Sequence, residues 1–149
     1  MALTKVQTGM MGTGAVLQVV QGTFNTQTNS TSTTWVASGL TASITPTSAT
    51  SKILIFVTSD VQSAASQNFS GTIYRGSTDL SGNGAGGYGF GLVAGGANAI
   101  NIPFAINYLD SPATTTSTTY SFYVRTTGGT IYWCIGPSLA TITLMEIAG

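Results

Sequence analysis

The stretch LTASITPTSATSKILIFVT, residues 40–58, decides the fold of this chain. In its first part, Leu40–Thr45, apolar residues alternate with hydroxyl residues, and this period of two is typical of a strand with one buried face. Pro46 ends that strand, because proline has no N–H to donate to a ladder. The run that follows, Lys52–Thr58, is the most apolar of the chain and is predicted to be a central strand.

Similar short runs recur along the whole chain, and no segment shows a sustained helical period with caps. The predicted strands are Ala15–Gln21, Leu40–Thr45, Lys52–Thr58, Phe69–Arg75, Ala99–Leu109, Thr119–Thr126, Ile131–Ile135 and Ala140–Ala148. About eight strands with turn signals between them predict an all-β sandwich of jelly-roll type.

Several local features refine this prediction. Ala15–Gln21 is apolar enough to be buried on both faces, and Gly22–Thr33 is expected to be a long loop with an irregular edge strand. Pro103 indicates a sheet edge or a bulge. The sequence Thr127-Gly128-Gly129-Thr130 predicts a tight hairpin, because paired glycines accept positive φ. Gly76–Asp79 is predicted to turn the chain.

The chain of 149 residues is interpreted as one sandwich domain, residues 15–149, preceded by an N-terminal docking arm, residues 1–14. The arm has neither the basic start nor the apolar stretch of a signal peptide. Its apolar residues Leu3, Met10 and Met11 are expected to dock on a partner, since methionine fills irregular grooves.

Charge is scarce, with four Lys and Arg, four Asp and Glu, and no His. Four scattered cations cannot neutralise a phosphate backbone, so nucleic acid is not expected as a partner. No run reaches the roughly 18 apolar residues of a membrane helix, so membrane insertion is not expected either. A charged fraction of 5% with zero net charge is poor for a free monomer and favours a component of an assembly.

The reagents for most catalysis are missing. Without His there is no general base for a Ser-His-Asp triad, so the chain is predicted not to be an enzyme and to have no catalytic residues, cofactor or metal site. A hard-cation site formed by Asp60, Asp79 and Asp110 is kept as an alternative. A pair of carboxylates that cleaves glycosides is another alternative.

The aromatic residues Trp35, Phe122, Tyr132 and Trp133 are interpreted as core or subunit contacts, and Cys134 as a small buried hydrophobe.

Leu80–Gly96 is dominated by glycine and is predicted to be an exposed distal loop. Gly82–Gly87 matches a dinucleotide fingerprint in letters only, because no helix start follows it. Tyr88 and Phe90 are separated by one glycine, so an extended backbone would point both rings to one side as a receptor-binding pair. Inward packing of both rings is the alternative.

Three stretches carry a resemblance to a known group: SITPTSATSKILIFV (43–57), YLDSPATTTSTTY (108–120) and TITLMEIAG (141–149). In this order they resemble small tail-fibre-like and virion structural proteins of bacteriophages, especially phages of cyanobacteria and marine bacteria. The resemblance covers most of residues 15–149 and is weakest between Gln62 and Gly96. It implies a virion surface component and a homotrimer, and it names no active-site residues.

The sequence thus leads to the expectation of a non-enzymatic virion structural protein, an outward-displayed fibre or appendage subunit. Its expected partners are two further copies of itself, other virion proteins and a host surface glycan or protein. A capsid decoration or cement protein that stabilises the shell is the main alternative. A tailspike that binds or depolymerises polysaccharide is a further one.

Overall fold

The computed structural model describes residues 12–84 and 86–149, and this part of the chain forms strands and no helix. The strands are β1 (Val16–Phe24), β2 (Thr28–Ser30), β3 (Val36–Ile44), β4 (Lys52–Ser63), β5 (Asn68–Arg75), β6 (Thr78–Asp79), β7 (Gly91–Ala94), β8 (Ile100–Asp110), β9 (Thr118–Thr126), β10 (Ile131–Trp133) and β11 (Ala140–Ile147). They form two antiparallel sheets that enclose one core. The predicted all-β sandwich is confirmed.

The two sheets take their strands from both halves of the chain. Sheet A has the order β1-β11-β4-β10-β2. In it, β11 and β10 pair with successive parts of one edge of β4, and β8 pairs with the opposite edge. Sheet B has the order β3-β9-β5-β6, and β7 also pairs with β5. Apart from the short strands β2, β6 and β10, eight strands remain, in the orders β1-β11-β4-β8 and β3-β9-β5-β7. The first and last strands are neighbours, which is compatible with the predicted jelly roll.

The core is built from the alternating positions that the sequence shows. The inward side chains include Leu40, Ala42 and Ile44 of β3; Ile53, Ile55 and Val57 of β4; Tyr120, Phe122 and Val124 of β9; and Ala140, Ile142 and Leu144 of β11. The central position predicted for Lys52–Thr58 is confirmed, because β4 pairs with β11, β10 and β8. Pro103 lies in β8, an edge strand within the described residues, as the missing N–H requires.

Two glycines make room for the ring of Phe104 in the core. Gly71 of β5 pairs with Gly91 of β7. A Cβ on Gly71 would lie 2.8 Å from the Phe104 ring, and one on Gly91 would lie 2.6 Å from it. Phe104 therefore packs between sheets because these two positions have no side chain, and its ring also meets Phe69 at 5.3 Å.

The prediction that Ala15–Gln21 is buried on both faces is wrong. Val16 and Val19 are 46% and 55% exposed. Among the described strands, β1 pairs with β11 alone, and its outer face has no layer above it. The loop expected at Gly22–Thr33 is shorter than predicted, because β1 continues to Phe24 and β2 adds an edge strand beside β10.

The predicted hairpin around Gly128-Gly129 is also wrong. β9 belongs to sheet B and β10 to sheet A, so the turn carries the chain from one sheet to the other. Both edges of β9 are occupied by β3 and β5, which leaves no ladder for β10 to join. The Gly128 amide donates to Thr126 Oγ1 at 3.1 Å and so stabilises a corner between the sheets.

Of the docking arm predicted at residues 1–14, only Gly12–Gly14 lies within the described residues. Leu3, Met10 and Met11 lie outside them, and their docking role stays a prediction. Gly14 already belongs to the sandwich, since its amide donates to Ala148 O at 2.8 Å.

Candidate functional site

The glycine-rich segment does not extend away from the molecule as predicted. Residues 80–84 and 86–90, here called the glycine-rich cover, lie against the outer face of sheet B, and the chain then enters β7. Both ends of the cover are tied to β5: the Leu80 amide donates to Ile73 O and the Phe90 amide to Gly71 O, each at 3.0 Å. The distal-loop prediction is therefore wrong for the part that the structure describes.

The cover buries polar side chains that point outward from β5. Ser70 and Thr72 alternate with inward Phe69 and Ile73, and yet both are fully buried. Thr72 Oγ1 donates to Asp79 Oδ1 at 2.8 Å. The hydroxyl group of Thr72 thus serves as a contact for the returning chain, whereas that of Ser70 is buried without a hydrogen-bond partner.

Trp35 and Arg125 hold the middle of the cover. The Arg125 guanidinium lies 5.2 Å from the centre of the Trp35 ring, a cation–π geometry. Arg125 Nη2 donates to Gly86 O at 2.9 Å, and Trp35 Nε1 donates to Gly84 O at 3.1 Å. Arg125 is buried although it points outward from β9, and Trp35 is half-buried here instead of lying in the core.

The two residues of the predicted receptor-binding pair have different surroundings. Gly89 between them has φ +66°, so the backbone is not extended and the expected same-side geometry is absent. The Phe90 ring packs 4.9 Å from the Tyr108 ring and contacts the core. Tyr88 is 51% exposed. Of the pair, Tyr88 alone offers most of its ring to solvent, and receptor binding stays a prediction.

A second aromatic pair on sheet B was missed by the sequence reasoning. Tyr74 of β5 and Tyr123 of β9 stack with ring centres 4.0 Å apart on the outer face. Burial, followed by the charge of Asp79 and the neighbouring Tyr123, raises the pKa of Tyr74. The alternation within β5 and β9 places both tyrosines on the outer face and was the available signal.

Asp110, which is buried at the end of β8, forms an ion pair with the partly exposed Arg75. Arg75 Nη1 lies 2.9 Å from Asp110 Oδ1, and the Tyr120 hydroxyl donates to Oδ2 at 2.7 Å. Burial and the hydrogen bond to Asp110 raise the pKa of Tyr120. The group ties β5, β8 and β9 together, which gives Asp110 a structural task.

Glu146 is fully buried at the end of β11. It accepts hydrogen bonds from Gln18 Nε2 at 2.6 Å and from the Thr47 amide and hydroxyl, each at 2.7 Å. Burial by itself would raise the pKa of Glu146, but the hydrogen bonds from Gln18 and Thr47 outweigh it and lower the pKa. The carboxylate joins β11 to β1 and to the turn before β4.

Asp60 holds the segment after β10. It accepts from the Ile135 amide at 2.9 Å and from Ser138 Oγ at 2.7 Å. Cys134 beside it is buried, as predicted, with Sγ 3.1 Å from Phe24 O. Within residues 12–84 and 86–149 no three His, Cys, Asp or Glu side chains come together as metal ligands, so the alternative cation site from Asp60, Asp79 and Asp110 does not form there.

The outer face of sheet A is apolar at one end. One cross-strand row reads Val19, Met145, Leu54, Leu109 through β1, β11, β4 and β8. Val16 and Ile147 pair in the row on one side of it, and Phe56 lies in the row on the other side. These seven residues are called the apolar band. Four of them are exposed: Val16, Val19, Phe56 and Leu109. Lys52 lies at the border of the band.

The chain matches no protein-family model and no curated protein. In the part of the chain that the structure describes, no helix has the length and apolar character needed to span a membrane.

Proposed function

We propose that this chain is a non-enzymatic structural protein of a bacteriophage virion, a homotrimeric fibre or appendage subunit displayed outward. The proposal starts from the resemblance of residues 43–57, 108–120 and 141–149 to such proteins. A β-sandwich with short connections presents broad, rigid faces and suits this task.

The observation that carries the proposal is how the carboxylates are used. Asp60, Asp79, Asp110 and Glu146 each accept hydrogen bonds that fasten one element to another. The described surface has few charges and many hydroxyl groups and apolar side chains, which suits contacts with other proteins or glycans better than acid–base chemistry.

Two observations support the proposed trimer: the low charge and the exposed apolar side chains outside the apolar band, such as Leu92, Ile102 and Leu139. Closed rotational symmetry buries such residues without open-ended growth. Tyr88, exposed at the edge of the glycine-rich cover, is the proposed contact for a host glycan or protein.

A capsid decoration protein is the second candidate, because a shell-binding protein needs a broad apolar footprint. The apolar band on the outer face of sheet A is the part of the described surface that such a contact would use. The two candidates therefore differ in what covers that band.

The test is quantitative mass spectrometry of gradient-purified phage particles, combined with light scattering of the pure protein. We expect the chain in the particles at a copy number that is a multiple of three and a trimer mass in solution. Absence from washed particles would refute the virion assignment, and a monomer mass at low concentration would refute the trimer.

A further inference from the structure

The described chain begins with a reversal of direction. The Ala15 amide donates to Gly12 O at 3.1 Å, which closes a turn immediately before β1. Gly14 supplies the positive φ of +89° in that turn. The turn is fixed to sheet A by the Gly14 amide, which donates to Ala148 O at 2.8 Å. Residues 1–11 therefore join the described chain at a turn that is fixed beside the end of β1 and β11.

The apolar band starts at that turn. Val16 and Ile147, its nearest members, follow Ala15 and precede Ala148. Strands about 4.8 Å apart and outward residues about 6.8 Å apart give each outward residue about 33 Å², so the seven residues of the band cover about 230 Å². A stable protein–protein interface buries about 800 Å² on each partner, so the band is small for a second globular surface. An area of this size is matched by one short segment.

Residues 1–11, MALTKVQTGMM, lie outside the described part and have the matching composition. Five of the eleven residues have large apolar side chains: Met1, Leu3, Val6, Met10 and Met11. The one charged side chain is that of Lys5. Fully extended they span about 36 Å, more than the width of the four strands that carry the band. Methionine side chains adapt to a flat aliphatic surface.

We propose that residues 1–11 fold back across the apolar band of their own chain. Met10 and Met11 then contact Val16 and Ile147, and Leu3 reaches the β8 side of the sheet near Leu109. The inference does not depend on the proposed function, but it changes the choice between the two candidates. A band covered in this way is closed to a capsid shell, and Leu3, Met10 and Met11 serve their own domain before any partner.

Disulfide trapping in the full-length chain tests the proposal. Leu3→Cys combined with Leu109→Cys should form an intrachain disulfide under mild oxidation, seen by intact mass and by non-reducing electrophoresis. Leu3→Cys with Ser77→Cys is the matched control, because Ser77 is exposed in the turn after β5. Native Cys134 is buried and can stay. A disulfide between chains would assign the segment to a neighbouring copy and overturn the proposal, as would trapping no greater than in the control.

A second measurement does not need a crosslink. Leu109→Cys alone should react slowly with a maleimide in the full-length protein. Adding Leu3→Asp and Met10→Asp should raise its rate several-fold by releasing the segment, whereas the same aspartates should leave the rate at Ser77→Cys unchanged. Equal rates at Leu109→Cys with and without the aspartates would contradict the proposal.

Discussion

The outer faces of the two sheets differ in chemistry and in what lies over them. Sheet B presents Ser70, Thr72 and Arg125, and the glycine-rich cover returns over these residues, with Gly86 O accepting from Arg125 while Thr72 donates to the Asp79 carboxylate. Sheet A presents the apolar band, over which no described residue lies as a layer. On sheet B the polar outward residues lie under a hydrogen-bonded loop, and on sheet A the aliphatic outward residues are the reason for proposing an apolar segment as their cover.

Gly89→Ala should have the largest effect, because it breaks the cover of sheet B. A Cβ there would collide with Gly71 O and lie 2.8 Å from Thr72 Cβ, and φ is positive. We expect a loss of about 3 kcal/mol in the free energy of unfolding, measured by urea denaturation. Gly82→Ala is the control, since Gly82 also has positive φ but no neighbour within 4 Å. It should lose about 1 kcal/mol; equal losses would refute the role of close packing.

Glu146→Gln tests the buried hydrogen bonds that join β11 to β1 and to the turn before β4. Its amide group would confront the donors of Gln18 and Thr47, and we expect a loss of about 2 kcal/mol at neutral pH by urea denaturation. Ser43→Ala is the control, because that hydroxyl is exposed and bonds only to Thr119 Oγ1.

The pH dependence of the same variant has a definite sign. The pKa of Glu146 is lower in the folded state than the ordinary 4.5. Its contribution to stability is therefore complete above the unfolded-state pKa and is lost as the pH falls through the folded-state pKa. The stability gap between wild type and Glu146→Gln should shrink on acidification from about pH 7 to about pH 3. A gap that widens in acid would contradict this assignment.

Single substitutions separate the two rings of the cover. Phe90→Ala removes a ring packed on Tyr108 and should cost about 2 kcal/mol in the free energy of unfolding. Tyr88→Ala removes a mostly exposed ring and should change it by less than about 0.5 kcal/mol. If Tyr88 contacts a receptor, Tyr88→Ala alone should reduce host adsorption. A comparable loss of stability in both variants would show that Tyr88 is packed as well.

The period of two in the sequence predicted much of this fold. It located the buried faces of β3 and β11, because a strand that is buried on one face alternates apolar and polar residues. The continuous apolar run of β4 indicated its central position. It also held a signal that was not used: Glu146 follows Leu144 on the buried face of β11, so a buried carboxylate with hydrogen-bond donors was foreseeable.

The remaining features depend on contacts between distant segments. Gly128-Gly129 signals a turn, but whether the strands beside it share a sheet depends on β3 and β5 occupying both edges of β9. The cover is held through Gly84 O and Gly86 O, acceptors that every residue has and no sequence pattern marks. The exposure of Tyr88 and the burial of Phe90 likewise follow from φ at Gly89.

The central claim is that this protein stands on the outside of a phage particle, and immunogold electron microscopy of purified particles tests it most directly. With an antibody against the folded domain, we expect gold at the fibres or appendages. Gold spread evenly over the capsid would support the decoration alternative against the proposed fibre. Particles without gold, from lysates in which the antibody detects the protein, would contradict the account.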